Sequence, residues 1–348
     1  MMSLDHNDFS VDSGFEDRCT LFISQFESYL SDCLYVLDKE ILPFATDAAL
    51  TGGKRIRPLL VYFFSEKIGE LKEDTLKASV IIELVHLATL IHDDILDNAK
   101  VRRNRPTLHT QIGQDASVLL GDALFAYALE LASEFSSTKI CSIVARATRQ
   151  TCSGEIKQTF SRGRPDIGID EYTDFINDKT GELFKASCQM GALISGSSED
   201  LINLSGEFGL SLGMNYQVFD DLMDAFENPL ISNKTSGLDW GSGKMTLPTI
   251  LLKETANTVE IEMLEQLFLS KNKNKFGDAR HEIIFLFEKY DILEKCTMFL
   301  SGKLELSKSL VAKFPDPSLR QDLHSFFMSF AHKLTKIKDL KTSNFLAV

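Results

Sequence analysis

The sequence predicts an all-helical fold in one large domain. Apolar residues recur at spacings of three and four along almost the whole chain, which is the period of an amphipathic helix. No segment shows a convincing strand alternation, and the breaks between helical stretches are local. With 348 residues and 44% hydrophobic content, the chain can bury a large core, which favours a globular protein.

Periodicity delimits the main helical stretches. In chain order they are Phe22 to Leu37, Leu59 to Ile68, Leu76 to Leu96, Ala116 to Phe135, Ile140 to Phe160, Tyr172 to Ile194, Leu201 to Ala225 and Leu247 to Leu252. Loops are predicted at Thr51 to Gly53, Arg102 to Pro106, Arg162 to Gly168 and Glu227 to Gly243. After Lys253 the pattern is less sharp, and Lys271 to Lys275 indicates an exposed turn. Because no break resembles an interdomain linker, we expect one domain over residues 21–348, preceded by a flexible acidic tail over residues 1–20.

Charge and hydropathy exclude several classes of partner. The net charge is -13 and the chain has no long lysine- or arginine-rich run, which argues against nucleic acid or an anionic membrane as the main partner. Met1 to Arg18 is acidic and polar, unlike a signal or transit peptide, so a cytoplasmic location is expected. Charged residues and histidines, among them Lys77 and Glu83, interrupt the longest apolar stretch, so no transmembrane segment is expected.

Two acidic clusters with the same spacing are the strongest chemical signal. Asp93 to Asp97 reads Asp-Asp-Ile-Leu-Asp and Asp220 to Asp224 reads Asp-Asp-Leu-Met-Asp. Each follows an apolar helical stretch, Ile81 to Ile91 and Phe208 to Phe219. Aspartates four apart lie on one helix face and repel each other, and near a helix C-terminus they also oppose the macrodipole, each effect costing several tenths of a kcal/mol. The clusters therefore predict bound cations.

The ligand type indicates which cation and which substrate. Carboxylate oxygens favour Mg²⁺ or Mn²⁺ over zinc, and Mg²⁺ commonly shares its coordination between one or two carboxylates and substrate phosphates. A single cluster of this kind is better explained as a solvated helix end. Two such clusters, each after an apolar stretch, favour metal sites for a phosphorylated substrate.

Basic residues near the clusters can neutralise a diphosphate. Gly52 to Pro58 places Lys54, Arg55 and Arg57 on a glycine-led turn entering a helix, where backbone N–H groups and cations can grip phosphate oxygens; a basic surface turn is the alternative. The pair Arg102-Arg103 follows the first cluster and could instead form a structural ion pair with it.

A second polar set lies around the second cluster in sequence. Each member alone would be an ordinary surface residue. The set comprises Lys179, Thr180, Gln217, Lys234 and Lys244.

Together these residues resemble the trans-isoprenyl diphosphate synthases, also called polyprenyl synthetases. The resemblance covers roughly Thr51 to Leu252. It runs through motifs in the family's order: Gly53-Lys54-Arg55-Ile56-Arg57-Pro58, His92 to Arg103, Gly154-Glu155-Ile156, Lys179-Thr180-Gly181-Glu182-Leu183-Phe184, and Gln217 to Asp224 followed by Lys244-Met245-Thr246-Leu247-Pro248.

The resemblance implies a fold and a reaction. The fold is one large bundle of mostly antiparallel helices around a central active-site cavity, and family members are usually homodimers. In the reaction, an allylic diphosphate held through Mg²⁺ ionises, the double bond of isopentenyl diphosphate attacks the allylic cation, and a proton is lost. Metals and cations stabilise the leaving diphosphate, while an apolar cavity excludes water. About three Mg²⁺ ions are implied with substrate bound, with Mn²⁺ as a substitute.

The resemblance also implies roles for individual residues. The metal ligands would be Asp93, Asp94, Asp97, Asp220, Asp221 and Asp224. The allylic diphosphate would be contacted by Arg102, Lys179, Thr180, Gln217, Lys234 and Lys244, and isopentenyl diphosphate by Lys54, Arg57, His86 and Arg103. The groups implied to act directly in catalysis are Asp93, Asp94, Asp97, Lys179, Asp220 and Lys244. For His86 the alternative is a half-buried histidine on an apolar face.

The sequence departs from the family pattern in three places. Asn104 follows Arg103 where the family often has glycine, and the second cluster continues as Ala225 to Pro229 instead of the frequent Gly-Asp. The chain finishes at Asn344 to Val348 without the family's common basic tail, so no C-terminal substrate contacts are transferred.

Small residues before the first cluster favour a long product. Ala88 and Thr89 stand five and four positions before Asp93, where short-chain members of the family carry a bulky aromatic residue. We therefore expect a product longer than C20, made from a geranyl- or farnesyl-type primer. The alternative for both residues is that they allow close helix packing.

Other functions explain fewer of the motifs. A farnesyl or geranylgeranyl diphosphate synthase differs only in product length. A class I terpene cyclase normally lacks a second cluster like Asp220 to Asp224, and a non-catalytic synthase subunit usually loses the acidic motifs. An HD-type phosphohydrolase would use His86 and His92-Asp93 but leaves the second cluster unexplained.

Overall fold

The computed structural model describes residues 13–50, 52–65, 72–102, 105–226, 243–269 and 282–339, and it confirms the all-helical prediction. Residues 282–289 are helical. The elements are α1 (Ser13–Leu34), α2 (Leu42–Leu50), α3 (Ile56–Ser65), α4 (Glu73–Leu96), β1 (Val101–Arg102), β2 (Arg105–Pro106), α5 (Leu108–Ile112), α6 (Gln114–Ser133), α7 (Thr138–Phe160), α8 (Ile169–Ile176), a π-helical turn (Asn177–Gly181), α9 (Glu182–Ile194), α10 (Glu199–Phe226), α11 (Leu247–Thr255), α12 (Thr258–Leu269), α13 (Ile292–Val311) and α14 (Pro317–Asp339).

Several elements differ from the sequence prediction, which did not include helices α2 and α5. The segment predicted as a loop at Arg102 to Pro106 instead has two short paired strands at its ends, with Val101 opposite Pro106 and Arg102 opposite Arg105. The stretch predicted as one helix from Tyr172 to Ile194 is interrupted by the π-helical turn at Asn177–Gly181. Helical periodicity does not register such an insertion, because the apolar positions on either side keep their spacing closely enough.

The described chain groups into two compact units, each made of three separate chain stretches. The described residues of unit 1 fall within 1–149, 182–210 and 310–326, and those of unit 2 within 150–181, 211–309 and 327–348. No single cut of the chain separates them. The single domain over residues 21–348 therefore stays a prediction, and α1 begins at Ser13, within the predicted tail.

Helix α4 is the centre of unit 1. It packs against α3, α6 and α9, and its middle is almost wholly buried because its apolar residues surround the helix instead of forming one stripe. Asp97 is the C-cap of this helix, and Asn98 then takes a positive φ of 52°, a conformation that ends helices. The acidic cluster thus lies where a buried helix emerges from the core.

Close helix packing in unit 1 depends on glycine at one α3–α9 contact. A Cβ added at Gly191 would lie 2.4 Å from the Val61 carbonyl oxygen, so a larger residue would separate the two helices. An aromatic cluster adjoins this contact, with the Phe64 ring packed edge-on against Phe314 at 5.4 Å. These contacts fix the helix that follows the Lys54 to Arg57 turn.

Unit 2 has its own hydrophobic core. The last turns of α10 contribute Val218, Leu222 and Phe226, which pack with residues of α8, α11 and α13. Where α10 passes α13, the contact is polar: Asn215 Nδ2 donates to Ser307 Oγ over 2.8 Å in a fully buried pair. The second acidic cluster therefore also lies at the end of a buried helix.

One described helix is long and apolar enough to cross a membrane by length and composition, which the sequence prediction did not anticipate. It is α6, and 39% of its most apolar stretch is buried. Core helices of other proteins meet the same criteria, so the finding alone is weak evidence for a membrane segment.

Candidate active site

The first acidic cluster combines one buried and two half-buried carboxylates. Asp93 and Asp97 are partly exposed at the end of α4, whereas Asp94 is only 7% exposed. The Asp97 amide donates to the Asp93 carbonyl oxygen at 2.9 Å, which keeps these two residues one helical turn apart. The face predicted for Asp93 and Asp97 is therefore present.

Asp94 is held by an arginine. Arg102 Nε donates to Asp94 Oδ1 over 2.8 Å, and the Arg102 side chain is 41% exposed on the β1–β2 hairpin. Burial raises the pKa of the Asp94 carboxyl, and Arg102 opposes the rise because its positive charge favours the ionised form. The ion pair that the sequence left open as an alternative is thus present, through a residue also implied in diphosphate binding.

In the glycine-led basic turn, Arg55 points into the protein, unlike Lys54, which is exposed. Arg55 is buried, with a positive φ of 47°, and its guanidinium donates to Glu83 over 2.6 Å, to Glu27 over 3.1 Å and to the Ala49 carbonyl oxygen over 2.7 Å. Arg55, which the resemblance assigns to no substrate, therefore pairs with groups of the protein itself. A buried guanidinium whose N–H groups donate to Glu83, to the half-exposed Glu27 and to a backbone carbonyl is a structural group.

The remaining cations of this turn are Lys54 and Arg57. Lys54 is exposed, and Arg57 is half-buried with its guanidinium carbon 4.7 Å from the centre of the Phe184 ring. Because Phe184 ends the Lys179 to Phe184 motif, two motifs that are distant in sequence meet here.

The residues upstream of the first cluster lie on the buried helix α4. His86 and Thr89 are half-buried, and the Thr89 hydroxyl donates to the His86 carbonyl oxygen over 2.7 Å. Ala88 is completely buried. His92 faces α6, where its Nε2 lies 3.2 Å from the Val118 carbonyl oxygen and a Cβ added at Gly121 would lie 2.2 Å from that nitrogen.

The second acidic cluster has the same burial pattern but different partners. Asp220 and Asp224 are half-buried, and Asp221 is 6% exposed. Tyr172 donates its hydroxyl to Asp221 Oδ2 over 2.7 Å, and Gln217 Nε2 donates to Asp221 Oδ1 over 2.8 Å. Gln217 in turn accepts a 2.6 Å hydrogen bond from the Thr180 hydroxyl. A chain of hydrogen bonds therefore joins the Lys179-Thr180 motif to the second cluster.

The π-helical turn positions Lys179 and Thr180. Helix α7 approaches it through Gly154, where an added Cβ would lie only 2.5 Å from the Lys179 amide nitrogen. Glu155, the next residue, forms an ion pair with Lys179, whose Nζ also donates to Gln158 Oε1 over 3.1 Å. The Gly154-Glu155 motif thus supplies the close approach and the counter-charge for Lys179. Single-turn π-helices are frequent at functional sites.

Of the remaining predicted residues, the structure describes Lys244 but not Arg103 or Lys234. Lys244 is buried, at 7% exposure, just before α11. Arg103 and Lys234 lie outside the described residues, as do Asn104 and the loop over residues 227–242.

Sequence reasoning missed two groups in these surroundings. Tyr172 was taken only as the start of a helix, yet its hydroxyl contacts a cluster aspartate. His109 is buried on α5, a helix that packs against α4. Neither stands in a motif with a recognisable spacing, so only the tertiary contacts reveal them.

Within the described residues, no group of three or more His, Cys, Asp or Glu side chains is arranged to hold a metal ion by itself. The donor set nevertheless fits a hard cation, because each cluster offers two half-buried carboxylates at a helix end and Mg²⁺ commonly takes only one or two from the protein.

Comparison with known proteins agrees with these motifs. Residues 39–283 match the family model for polyprenyl synthetase. Octaprenyl diphosphate synthase of Haemophilus influenzae is 28% identical over 274 residues, covering 79% of this chain and 82% of that protein. Geranylgeranyl diphosphate synthase of Methanosarcina mazei is 32% identical over 204 residues, covering 57% and 63%. The crystal structure of a polyprenyl synthase from Caulobacter crescentus, complexed with calcium and isoprenyl diphosphate, superposes with a TM-score of 0.82 at 29% identity, covering 91% of this chain and 96% of that one.

Proposed function

The chain belongs to the polyprenyl synthetase family, and on that premise we propose that it is a polyprenyl diphosphate synthase. This prenyltransferase condenses isopentenyl diphosphate head-to-tail with a geranyl- or farnesyl-type allylic diphosphate. The observation that carries the proposal is the pair of acidic clusters, each at the end of a buried helix and each with its second aspartate fixed by hydrogen bonds.

The metal ligands in this proposal are the aspartates of both clusters. They are Asp93, Asp94, Asp97, Asp220, Asp221 and Asp224. When bound, Mg²⁺ supplies charge neutralisation to the departing diphosphate. The hydrogen bonds on Asp94 and Asp221 orient these two carboxylates before substrate arrives, which lowers the cost of ordering them on binding.

The cations and polar groups divide between the two substrates. Lys54, Arg57, His86 and Arg103 bind isopentenyl diphosphate, and Arg102, Lys179, Thr180, Gln217, Lys234 and Lys244 bind the allylic diphosphate. Lys179 and Lys244 stabilise the negative charge that develops as the allylic C–O bond breaks, because both are largely buried, where charge interactions are strong. The Glu155 ion pair holds Lys179 in place until a diphosphate competes for it.

The product in this proposal is longer than C20. Ala88 and Thr89 are small, and an elongating chain running along α4 from the first cluster would pass them. The relatives include synthases named for both octaprenyl and geranylgeranyl products, so similarity alone leaves the length open.

We propose a homodimer in the cytoplasm as the working form. Helix α6 supports the dimer because its outer face carries exposed apolar residues, with Leu119 at 68% and Val118 and Leu129 at 40% exposure. Light scattering on the purified protein tests the stoichiometry, and Leu119→Glu should convert a dimer to a monomer.

Incubation with isopentenyl diphosphate, farnesyl diphosphate and Mg²⁺, followed by sizing of the extracted lipids, tests the reaction. We expect a prenyl diphosphate longer than C20. Release of inorganic phosphate or diphosphate without elongation would overturn the proposal.

Replacing Ala88 with phenylalanine tests the product length. The bulkier side chain should shorten the main product, and an unchanged length would show that Ala88 does not line the path of the chain. Since Ala88 is fully buried, overpacking is expected to cost about 1–3 kcal/mol of stability. Ala45→Phe on α2, at an equally buried position, is the control for that cost and should leave product length unchanged.

A further inference from the structure

His109 is a buried histidine with an unmet hydrogen-bonding capacity. It lies on α5, is 8% exposed, and neither ring nitrogen has a hydrogen-bond partner among the described residues. A neutral imidazole always carries one N–H donor and one acceptor nitrogen. Buried polar groups are nearly always hydrogen-bonded in native proteins, so a ring with neither nitrogen partnered calls for an explanation.

The start of α5 is fixed to the turn that follows the first acidic cluster. The Ala99 amide donates to the Asp94 carbonyl oxygen over 2.9 Å, and the Thr107 hydroxyl donates to the Ala99 carbonyl oxygen over 2.7 Å. The Thr107 amide also donates to the Lys100 carbonyl oxygen over 3.0 Å. His109 stands two residues after Thr107, so these hydrogen bonds hold its backbone in register with Asp94.

Asp94 and His109 share this buried environment. Asp94 is 7% exposed, and its carboxylate is held by Arg102 from a partly exposed hairpin. Helix α5, which carries His109, packs against α4, which carries Asp94, so the buried ring and the buried carboxylate lie on neighbouring elements.

Diphosphate binding gives Arg102 a second anionic partner besides Asp94. In the proposed function, on which this inference rests, Arg102 binds the allylic diphosphate. A guanidinium drawn toward phosphate oxygens weakens its hydrogen bond to Asp94. The buried carboxylate then needs another donor to keep its orientation.

We propose that His109 is a positioning residue for Asp94, donating a ring N–H to this carboxylate when Arg102 engages the substrate diphosphate. Histidine–carboxylate pairs around a metal site orient the ligating oxygen, and loss of such an outer partner typically lowers metal affinity or activity about ten- to hundredfold. His109 thereby acts on metal binding through Asp94, without itself touching metal or substrate.

The test measures Mn²⁺ binding to the full chain in the presence of inorganic diphosphate, by calorimetry or electron paramagnetic resonance. His109→Phe should weaken binding about ten- to hundredfold and raise the Mg²⁺ concentration for half-maximal elongation by a similar factor. His109→Gln, which keeps an N–H donor, should retain most of the affinity. His324→Gln, an exposed position on α14, is the control and should change neither value.

A double-mutant comparison separates positioning from a general structural effect. In an Asp94→Asn background, His109→Phe should cause no further loss of Mn²⁺ affinity, because the two changes remove the same interaction. The inference would be overturned if His109→Phe left the Mn²⁺ affinity unchanged or if His109→Phe and His109→Gln lowered it equally. It would also be overturned if the losses of affinity from His109→Phe and Asp94→Asn were fully additive. If His109→Phe does not fold, as judged by circular dichroism, His109→Met carries the same comparison.

The two proposals fail in different ways. Absence of elongation by the unmodified protein would refute the proposed function. Elongation by that protein together with unimpaired Mn²⁺ binding in the His109 variants would refute only the role of His109.

Discussion

The two acidic clusters have the same spacing and the same burial pattern, but they are held by opposite kinds of partner. In the first, the buried Asp94 is bound by a cation, Arg102, on a partly exposed hairpin. In the second, the buried Asp221 is bound by two neutral donors, Tyr172 and Gln217. A cation on a hairpin can be recruited by an anionic ligand, whereas the buried Tyr172 hydroxyl is assigned no substrate and stays on Asp221.

The difference shows how one motif can serve two purposes. The second cluster is preorganised, since the hydrogen-bond chain from Thr180 through Gln217 sets the carboxylate before any ligand is present. The first cluster exchanges the partner of its buried aspartate on binding, because Arg102 is itself implied in diphosphate recognition. Gln217 is implied in it too, but Asp221 then keeps Tyr172.

Replacing either buried aspartate with asparagine should cause the largest loss of activity, and the loss should be similar in the two clusters. Asp94→Asn and Asp221→Asn each remove a carboxylate from a proposed ligand set, so kcat/KM should fall on the order of a hundred- to thousandfold in both, as for other lost electrostatic stabilisers. Initial rates at saturating Mg²⁺ provide the measurement. Retention of most activity in either variant would remove that cluster from the mechanism.

Removing the Tyr172 hydroxyl should expose the contrast directly. Tyr172→Phe leaves Asp221 with one donor fewer, which should cost about 1–3 kcal/mol of stability, the penalty of an unsatisfied buried acceptor. Activity should fall about ten- to hundredfold, as for other lost outer partners of a metal ligand. Chemical denaturation and steady-state rates measure the two effects. Tyr35→Phe, at an exposed tyrosine, is the control and should alter neither.

Displacing the π-helical turn should affect the second cluster alone. In Gly154→Ala the new Cβ would lie 2.5 Å from the Lys179 amide nitrogen, so the turn must shift, and overpacking of this kind costs about 1–3 kcal/mol. We expect a higher KM for the allylic diphosphate, because Lys179 and Thr180 move together. Gly168→Ala is the matched control, since an added Cβ there meets nothing within 4 Å. Equal KM values in the two variants would contradict this account of Gly154.

The smallest expected effect is the contribution of Asp94 to the pH dependence of the free energy of unfolding. Its folded-state pKa is raised, so the folded protein binds a proton there more readily than the unfolded chain, and stability falls as the pH rises from the ordinary aspartate pKa through the raised value. Asp94→Asn mimics the protonated acid and should flatten this part of the ligand-free profile. Urea unfolding between pH 4 and pH 7, with and without the substitution, provides the measurement, and parallel profiles would contradict the assignment.

Much of the fold and of the chemistry could be predicted from local sequence. Periodic apolar residues located the helices, and the spacing of the clusters located the aspartates at helix ends, since both depend on residues within a few turns of each other. The sequence of the Gly52 to Pro58 turn could not show that Arg55 turns inward, because the direction of its side chain depends on its φ and on ion pairs with Glu27 and Glu83, which are distant in sequence.

By itself, the sequence determined the helical class, the two carboxylate clusters and the family. The tertiary structure alone decided which carboxylates are buried and which groups hold them. Arg102 pairs with Asp94, and Tyr172 donates to Asp221, in each case from a different element. The burial of His109 likewise depends on the elements packed around it. The physical reason is that helix formation follows from short-range periodicity, whereas burial and hydrogen-bond partners are set by long-range packing that no local pattern encodes.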